Sequence, residues 1–207
     1  FRKDVYQMAD LELLKSEFIK LYGDGGEIRF FTSPGRVNLI GEHTDYSGGY
    51  VFPAAISAST TIAVRKRSDR TVRIKATDLP DVVTIDMDRI GDYKDLHYGN
   101  YQAGIIDEMM KDGYTLTGAD MLYEDGVPHG GGLSSSAAIE VATACVFSTF
   151  SAEAGGKEAT KTEMALIGQR AEHNYAGVNC GIMDQFASAN GKANMAIFLQ
   201  CDTLKYE

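Results

Sequence analysis

Residues 34–46, Pro-Gly-Arg-Val-Asn-Leu-Ile-Gly-Glu-His-Thr-Asp-Tyr, hold the densest chemistry in the sequence. Arg36, Glu42, His43 and Asp45 stand among glycines and a short apolar run, with no helical period that would make them one solvated face. Such a polar cluster is costly to order unless it meets a partner, and glycines let the backbone come close to one. Carboxylates and an imidazole together supply acceptors and donors, the mixture that a polyhydroxylated small molecule requires. The same residue types also suit a metal site or a self-satisfied polar turn.

A second stretch, residues 127–138 (Val-Pro-His-Gly-Gly-Gly-Leu-Ser-Ser-Ser-Ala-Ala), suits an anion. Gly130, Gly131 and Gly132 permit close approach of the backbone. Ser134, Ser135 and Ser136 fall where a helix leaves its first amides unpaired and its dipole positive. One serine hydroxyl can also ligate a metal ion. A flexible Gly-Ser linker would not join a strand to an apolar helix in this way. The stretch lacks the lysine of a Walker A loop, and no G-x-G-x-x-G follows a first strand. The protein-kinase triplets H-R-D and D-F-G are absent too. The reading is a lysine-free phosphate loop at a helix N-terminus.

Two carboxylates complete the set. Glu172 ends one expected helix and Asp184 begins the next, and Gly177 and Gly181 between them permit a tight turn that brings both together. Asp184 can act as a cap there, or as an anion favoured by the helix dipole. Its apolar neighbours Ile182, Met183 and Phe186 imply partial burial and a cationic partner, for which Arg36 is the candidate.

The elements expected to position these groups are mixed. Asp10 caps a first helix with Leu11, Leu14, Phe18 and Leu21 at helical spacing and Gly23 at its end. Residues 27–32 read as a strand, 59–67 and 72–77 as a hairpin turning at Asp69-Arg70, and 82–86 as a further strand. Helices are expected over 98–111, 137–150, 162–175 and 182–189, with strands over 119–123 and 195–199. The fold class is α+β.

Length and charge bound the rest. The 207 residues fit one sizeable domain or two small ones, and the net charge of -9 argues against nucleic acid or an anionic membrane as partner. Cys145, Cys180 and Cys201 form neither a disulfide framework nor a zinc pattern, so reduced thiols and a cytoplasmic location are expected. No apolar stretch approaches membrane-spanning length, and the first residues show no signal-peptide pattern. The chain starts at Phe1 and stops at Glu207 soon after a strand-like run, so a piece of a longer protein is expected.

Three stretches resemble one family. Residues 35–46 resemble the galactokinase signature, residues 130–137 the ATP motif shared by the GHMP kinases (galactokinase, homoserine, mevalonate and phosphomevalonate kinases), and residues 180–185 the galactokinase segment that bears the catalytic aspartate. The resemblance implies ATP-dependent phosphorylation of the C1 hydroxyl of α-D-galactose. It implies Asp184 as the base, with Arg36 stabilising charge and holding Asp184 ionised. Glu42, His43, Asp45 and the Gly181 backbone would bind the sugar. Gly130, Gly131, Gly132, Leu133, Ser134, Ser135 and Ser136 would cradle ATP, and Ser136 and Glu172 would hold Mg²⁺. The implied fold is the GHMP-kinase N-terminal domain, similar to the second domain of ribosomal protein S5, with a left-handed βαβ crossover. The implied partner is a C-terminal domain carrying a third glycine-rich motif, in a protein that is a monomer when full length. The family's loop usually reads Gly-Ala-Gly where this chain has Gly130-Gly131-Gly132. A kinase for N-acetylgalactosamine or a uronic acid, and a non-catalytic galactose and ATP sensor, are the competing functions.

Overall fold

The computed structural model describes residues 9–93 and 95–207. The first residues, read above for a signal peptide, lie outside that range. A five-stranded sheet forms the frame: β1 (Arg29–Asn38), β3 (Pro53–Lys66), β4 (Thr71–Ala76), β5 (Val83–Asp86) and β6 (Ala119–Asp125), in the order β1-β3-β6-β4-β5. Neighbours are antiparallel except β4 and β6, which run parallel and are joined through β5 and the helix α2 (Asn100–Lys111). Together with the packed helices, this is the expected α+β class.

Both sheet faces are covered. On one, α1 (Leu11–Tyr22) sets Leu14 and Phe18 on Ala63 and Leu122, while Asp10 caps it by accepting from the Glu12 and Leu13 amides. Leu11 and Leu21, expected on the same apolar stripe, are exposed, because the stripe that reaches the sheet is Leu14, Phe18 and the partly buried Tyr22, at i, i+4 spacing. On the other face lie α2, α3 (Ser135–Glu153) and α4 (Lys161–Ala171), over Ile62, Val64, Ile74, Met121 and Tyr123. In α3, Phe147 and Phe150 are fully buried, and each such ring contributes about 1.5–3 kcal/mol.

By length and composition α3 alone would pass for a membrane span, contrary to the expectation that no stretch approaches that length. It packs against β1, β3, α2, α4 and α5 (Met183–Asn190), and two thirds of it is buried inside the domain, which accounts for its apolar character.

Three local expectations need correction. The 59–67 and 72–77 strands do not pair, because β6 lies between them. The first five residues of β6 are buried, as befits a central strand. Gly118 feeds it in: its N–H donates to Asp69 O (2.7 Å), its carbonyl accepts from Arg67 N (2.8 Å), and a Cβ there would collide with Thr71 O. The expected 195–199 strand shrinks to β7 (Leu199–Gln200), which joins β2 (Tyr50–Val51) and β8 (Lys205–Tyr206) in a small second sheet. The expected helix 162–175 is α4 followed by one π turn, Glu172–Ala176. A Thr160–Glu163 capping box starts α4.

Candidate active site

Strand β1 runs through the first motif as far as Asn38, well past the expected end at Thr32. Its register against β3 breaks between Pro34 and Arg36, the kind of irregularity that re-aims a side chain. Two contacts then dock the motif. The Arg36 amide donates to Leu133 O of the phosphate loop (3.1 Å), and the Ser188 hydroxyl of α5 donates to Pro34 O (2.6 Å). Strand, loop and helix α5 therefore meet at Arg36.

There the guanidinium holds two partners. Nε and Nη2 reach Asp184 Oδ1 at 2.8 and 2.6 Å, and Nη1 donates to Gly132 O at 2.7 Å. The second Asp184 oxygen accepts from Ser134 Oγ at 2.5 Å. Asp184 is the second residue of α5 and caps nothing; Ile182 occupies the cap position. The expected Arg36–Asp184 pair is present.

The phosphate loop has the expected form. A turn over residues 129–132 follows β6, and α3 starts at Ser135. Ser134 takes a left-handed conformation (φ 59°) and makes no capping bond, because its hydroxyl is turned to Asp184. No side chain caps α3, so its first amides and dipole face outward toward any anion placed there. The three-glycine departure is mild: a Cβ built at Gly131 would meet Pro128 O at 3.3 Å, so alanine fits with a small adjustment.

Glu172 opens the π turn and is buried. Its Oε1 accepts from Ser136 Oγ (3.3 Å) and its Oε2 from Gln185 Nε2 (2.6 Å) and the Cys180 thiol (3.3 Å). Both carboxylates thus converge on the start of α3, Asp184 through Ser134 and Glu172 through Ser136. Oxygen donors of this kind suit Mg²⁺, which takes one or two protein oxygens and completes its shell with water and phosphate.

The rest of the first motif is arranged less tightly. Glu42 is exposed and accepts from Asn38 Nδ2 (2.8 Å). His43, at φ 62°, is exposed with its ring 6.0 Å from that of Tyr46. No hydrogen bond joins Glu42 or His43 to Arg36 or Asp184 among the described residues. No group of three or more metal-ligating His, Cys, Asp or Glu side chains occurs among those residues either. Asp45 opens a short 3₁₀ turn and lies directly on Gly181. The Cys180 carbonyl beside it is held by His173 Nε2 (2.8 Å) and Gln169 Nε2 (3.3 Å). Asp45 and Cys180 share the lining of an open cavity of about 480 Å³.

A Cβ at Gly181 would collide with the Asp45 carboxylate. Gly181→Ala should therefore turn the Asp45 side chain away from the cavity that it lines with Cys180. A crystal structure of the variant checks this, and an unmoved Asp45 side chain would refute it.

Sequence reasoning missed two groups. Glu140 lies fully buried in α3, and its Oε2 accepts from Gln185 Nε2 at 2.9 Å. Burial, and then the charge of Glu172, pushes its carboxyl well above the usual carboxylate range. A lone carboxylate inside the apolar run 137–150 was the available signal. The second is an aromatic cavity of about 210 Å³ beside Ser135 and Ser136, walled by Tyr98, Tyr101 and Tyr123.

Comparison with known proteins agrees with this geometry. The galactokinase galactose-binding signature matches residues 16–66, and the GHMP kinases N terminal domain matches residues 100–192. Galactokinase of Clostridium tetani is 47% identical over 194 residues, covering 94% of this chain and 48% of that protein. Galactokinase of Bacillus subtilis is 42% identical, covering 95% and 50%. The crystal structure of Lactococcus lactis galactokinase complexed with galactose superposes with a TM-score of 0.88 at 39% identity, covering 96% of this chain and 51% of that one. Mevalonate kinase of Methanococcus jannaschii shares the fold, with a TM-score of 0.72 at 21% identity. The chain spans about half the length of the curated relatives it matches. A phosphate loop hydrogen-bonded to a sugar signature, with both stretches matched by their own models, places the chain in the galactokinase branch of the GHMP kinase family.

Proposed function

We propose that the full-length protein transfers the γ-phosphoryl group of ATP to the C1 hydroxyl of α-D-galactose. The observation that carries this is the unit Arg36–Asp184–Ser134, which ties the sugar motif and the phosphate loop to one carboxylate. Asp184 takes the C1 hydroxyl proton, exchanging its Ser134 contact for the substrate. The C1 oxygen attacks the γ-phosphorus, the bond to the β–γ bridging oxygen breaks, and ADP leaves.

Phosphoryl transfer depends mainly on alignment and charge stabilisation. Arg36, one charge spread between Asp184 and the loop, faces the negative charge that develops there. The first α3 amides and the loop from Gly130 to Ser136 cradle the phosphates. Glu172 and Ser136 would hold Mg²⁺, which when bound neutralises phosphate charge. Asp45, with the Gly181 backbone at its side, binds sugar hydroxyls, and Glu42 and His43 do so from their exposed turn. The share of the relatives' length that lies beyond this chain supplies a second domain in this reading.

ATP consumption by the full-length protein, measured against galactose, N-acetylgalactosamine, galacturonic acid and glucose, tests the reading. Turnover should be highest with galactose. Galactose binding without turnover would replace the kinase by a sensor, and preference for another sugar would replace the substrate.

A further inference from the structure

Glu172 reaches the start of α3 through Ser136, and its other oxygen is held by a pair that the transfer chemistry leaves unused, Gln185 and Glu140. Both residues are fully buried. One atom of the Gln185 amide stands 2.6 Å from Glu172 Oε2 and 2.9 Å from Glu140 Oε2. Only a donor can serve two carboxyl oxygens at once, so that atom is the nitrogen and both of its protons are used. Gln185 Oε1 is then left buried with no donor among the described residues, as is Glu140 Oε1.

Unmet acceptors at such depth are uncommon and costly. An apolar side chain of the same length would fill the space without that cost, so packing does not account for the amide. What the amide does is fix Glu172. The other donor to Glu172 Oε2 is the Cys180 thiol at 3.3 Å, and a thiol donates weakly. Gln185 is therefore the main restraint on the carboxylate plane that turns Oε1 to Ser136. Glu140 takes the second amide proton and keeps the Gln185 side chain from rotating. Burial and the charge of Glu172 hold the Glu140 carboxyl well above its usual range, so it braces the amide without a second charge beside Glu172.

The helices are arranged to suit this. Gln185 follows Asp184 in α5, so the two side chains leave the helix about 100° apart. Asp184 faces Arg36 and Ser134, while Gln185 faces Glu172. Gly168 of α4 makes the room: a Cβ there would stand 2.9 Å from Gln185 Cγ and 3.4 Å from Glu140 Oε2.

We propose that Gln185, braced by Glu140, is the positioning residue of the metal site, holding the Glu172 carboxylate so that Oε1 and Ser136 Oγ are presented together. This rests on the kinase reading and deepens it with two residues outside the substrate contacts.

The test measures Mn²⁺ affinity of the full-length protein holding β,γ-imido-ATP, by electron paramagnetic resonance against the nucleotide alone. Gln185→Met, which keeps the length and removes the donor, should weaken Mn²⁺ by about 10- to 100-fold, the range for losing a hydrogen-bond partner of a metal ligand. Galactose affinity, by calorimetry, should stay unchanged, whereas a merely structural role would weaken both ligands together. In turnover, the loss in the variant should shrink as Mg²⁺ is raised. Should Gln185→Met fail to fold, Gly168→Ala keeps every polar group, presses a methyl on Gln185 and should weaken Mn²⁺ in the same direction. Unchanged Mn²⁺ affinity in the variant that folds overturns the proposal, as does equal weakening of Mn²⁺ and galactose, or a turnover loss that is the same at every Mg²⁺ concentration. A native protein that binds the nucleotide but holds Mn²⁺ no tighter than the nucleotide alone overturns it and leaves the kinase reading standing. Absence of any nucleotide binding overturns both.

Discussion

Asp184→Asn in the full-length protein should lower kcat for galactose phosphorylation by about 10²–10⁴-fold, the usual contribution of a positioned general base, while galactose binding stays measurable. The substitution is nearly isosteric. The oxygen of the introduced amide can still accept from Arg36, and the Ser134 hydroxyl, a donor to Asp184 at 2.5 Å, can rotate to accept from the new amide nitrogen. The site should keep its shape and lose its proton acceptor. Steady-state kinetics with a galactose titration separates the two effects, since a purely structural role would raise Kd along with lowering kcat. Near-normal turnover would refute the assignment of Asp184 as base.

Arg36→Ala has the second largest expected effect, a loss of about 10²–10³-fold in kcat, by analogy with removing one donor that stabilises transition-state charge. It also removes three contacts at once: two to Asp184 and one to Gly132 O. The Asp184 side chain is 28% exposed, so part of its lost pairing is recovered from water. The stability cost should accordingly be modest, about 1–3 kcal/mol by urea denaturation. Arg36→Lys should recover little activity, because an ammonium is a point charge and cannot make the forked contact to carboxylate and loop carbonyl together. Combined with Asp184→Asn, the loss should be far less than the sum of the two, since the pair acts as one unit. Additive losses, or an Arg36→Ala enzyme with ordinary turnover, would show that the arginine serves only the fold.

Both expectations rest on a contact that was legible before any fold was known. Asp184 followed two apolar residues at a helix start, a position that leaves a charge half-buried and in need of a cation, and Arg36 was available. The phosphate loop was legible for a similar local reason: glycines, then serines, then an apolar helix follow from backbone freedom and unpaired amides. The Asp10 cap and the apolar faces of α2 and α3 are likewise short-range matters of spacing.

Where the reading failed, the deciding contact was distant in sequence. The 59–67 and 72–77 strands looked like a hairpin because nothing between Lys66 and Thr71 announces that β6, some fifty residues later, will enter between them. Leu21 had helical spacing, yet the sheet offers α1 room for one stripe only. Glu140 went unread in the apolar run 137–150, because its partner Gln185 lies 45 residues further along the chain.

Taken by itself, the sequence determined the chemistry on offer: an arginine, the carboxylates, a lysine-free phosphate loop and a sugar-type polar cluster. Residue type and short spacing specify these through backbone freedom, capping and charge, all local quantities. The tertiary structure alone decided how they meet. It set one arginine between the carboxylate and the loop carbonyl, placed Asp45 on Gly181, and split Glu172 and Asp184 between two serines. Those arrangements depend on strand order and helix packing between residues 36 to 148 positions apart, where burial and hydrogen-bond completion over the whole domain select the partner.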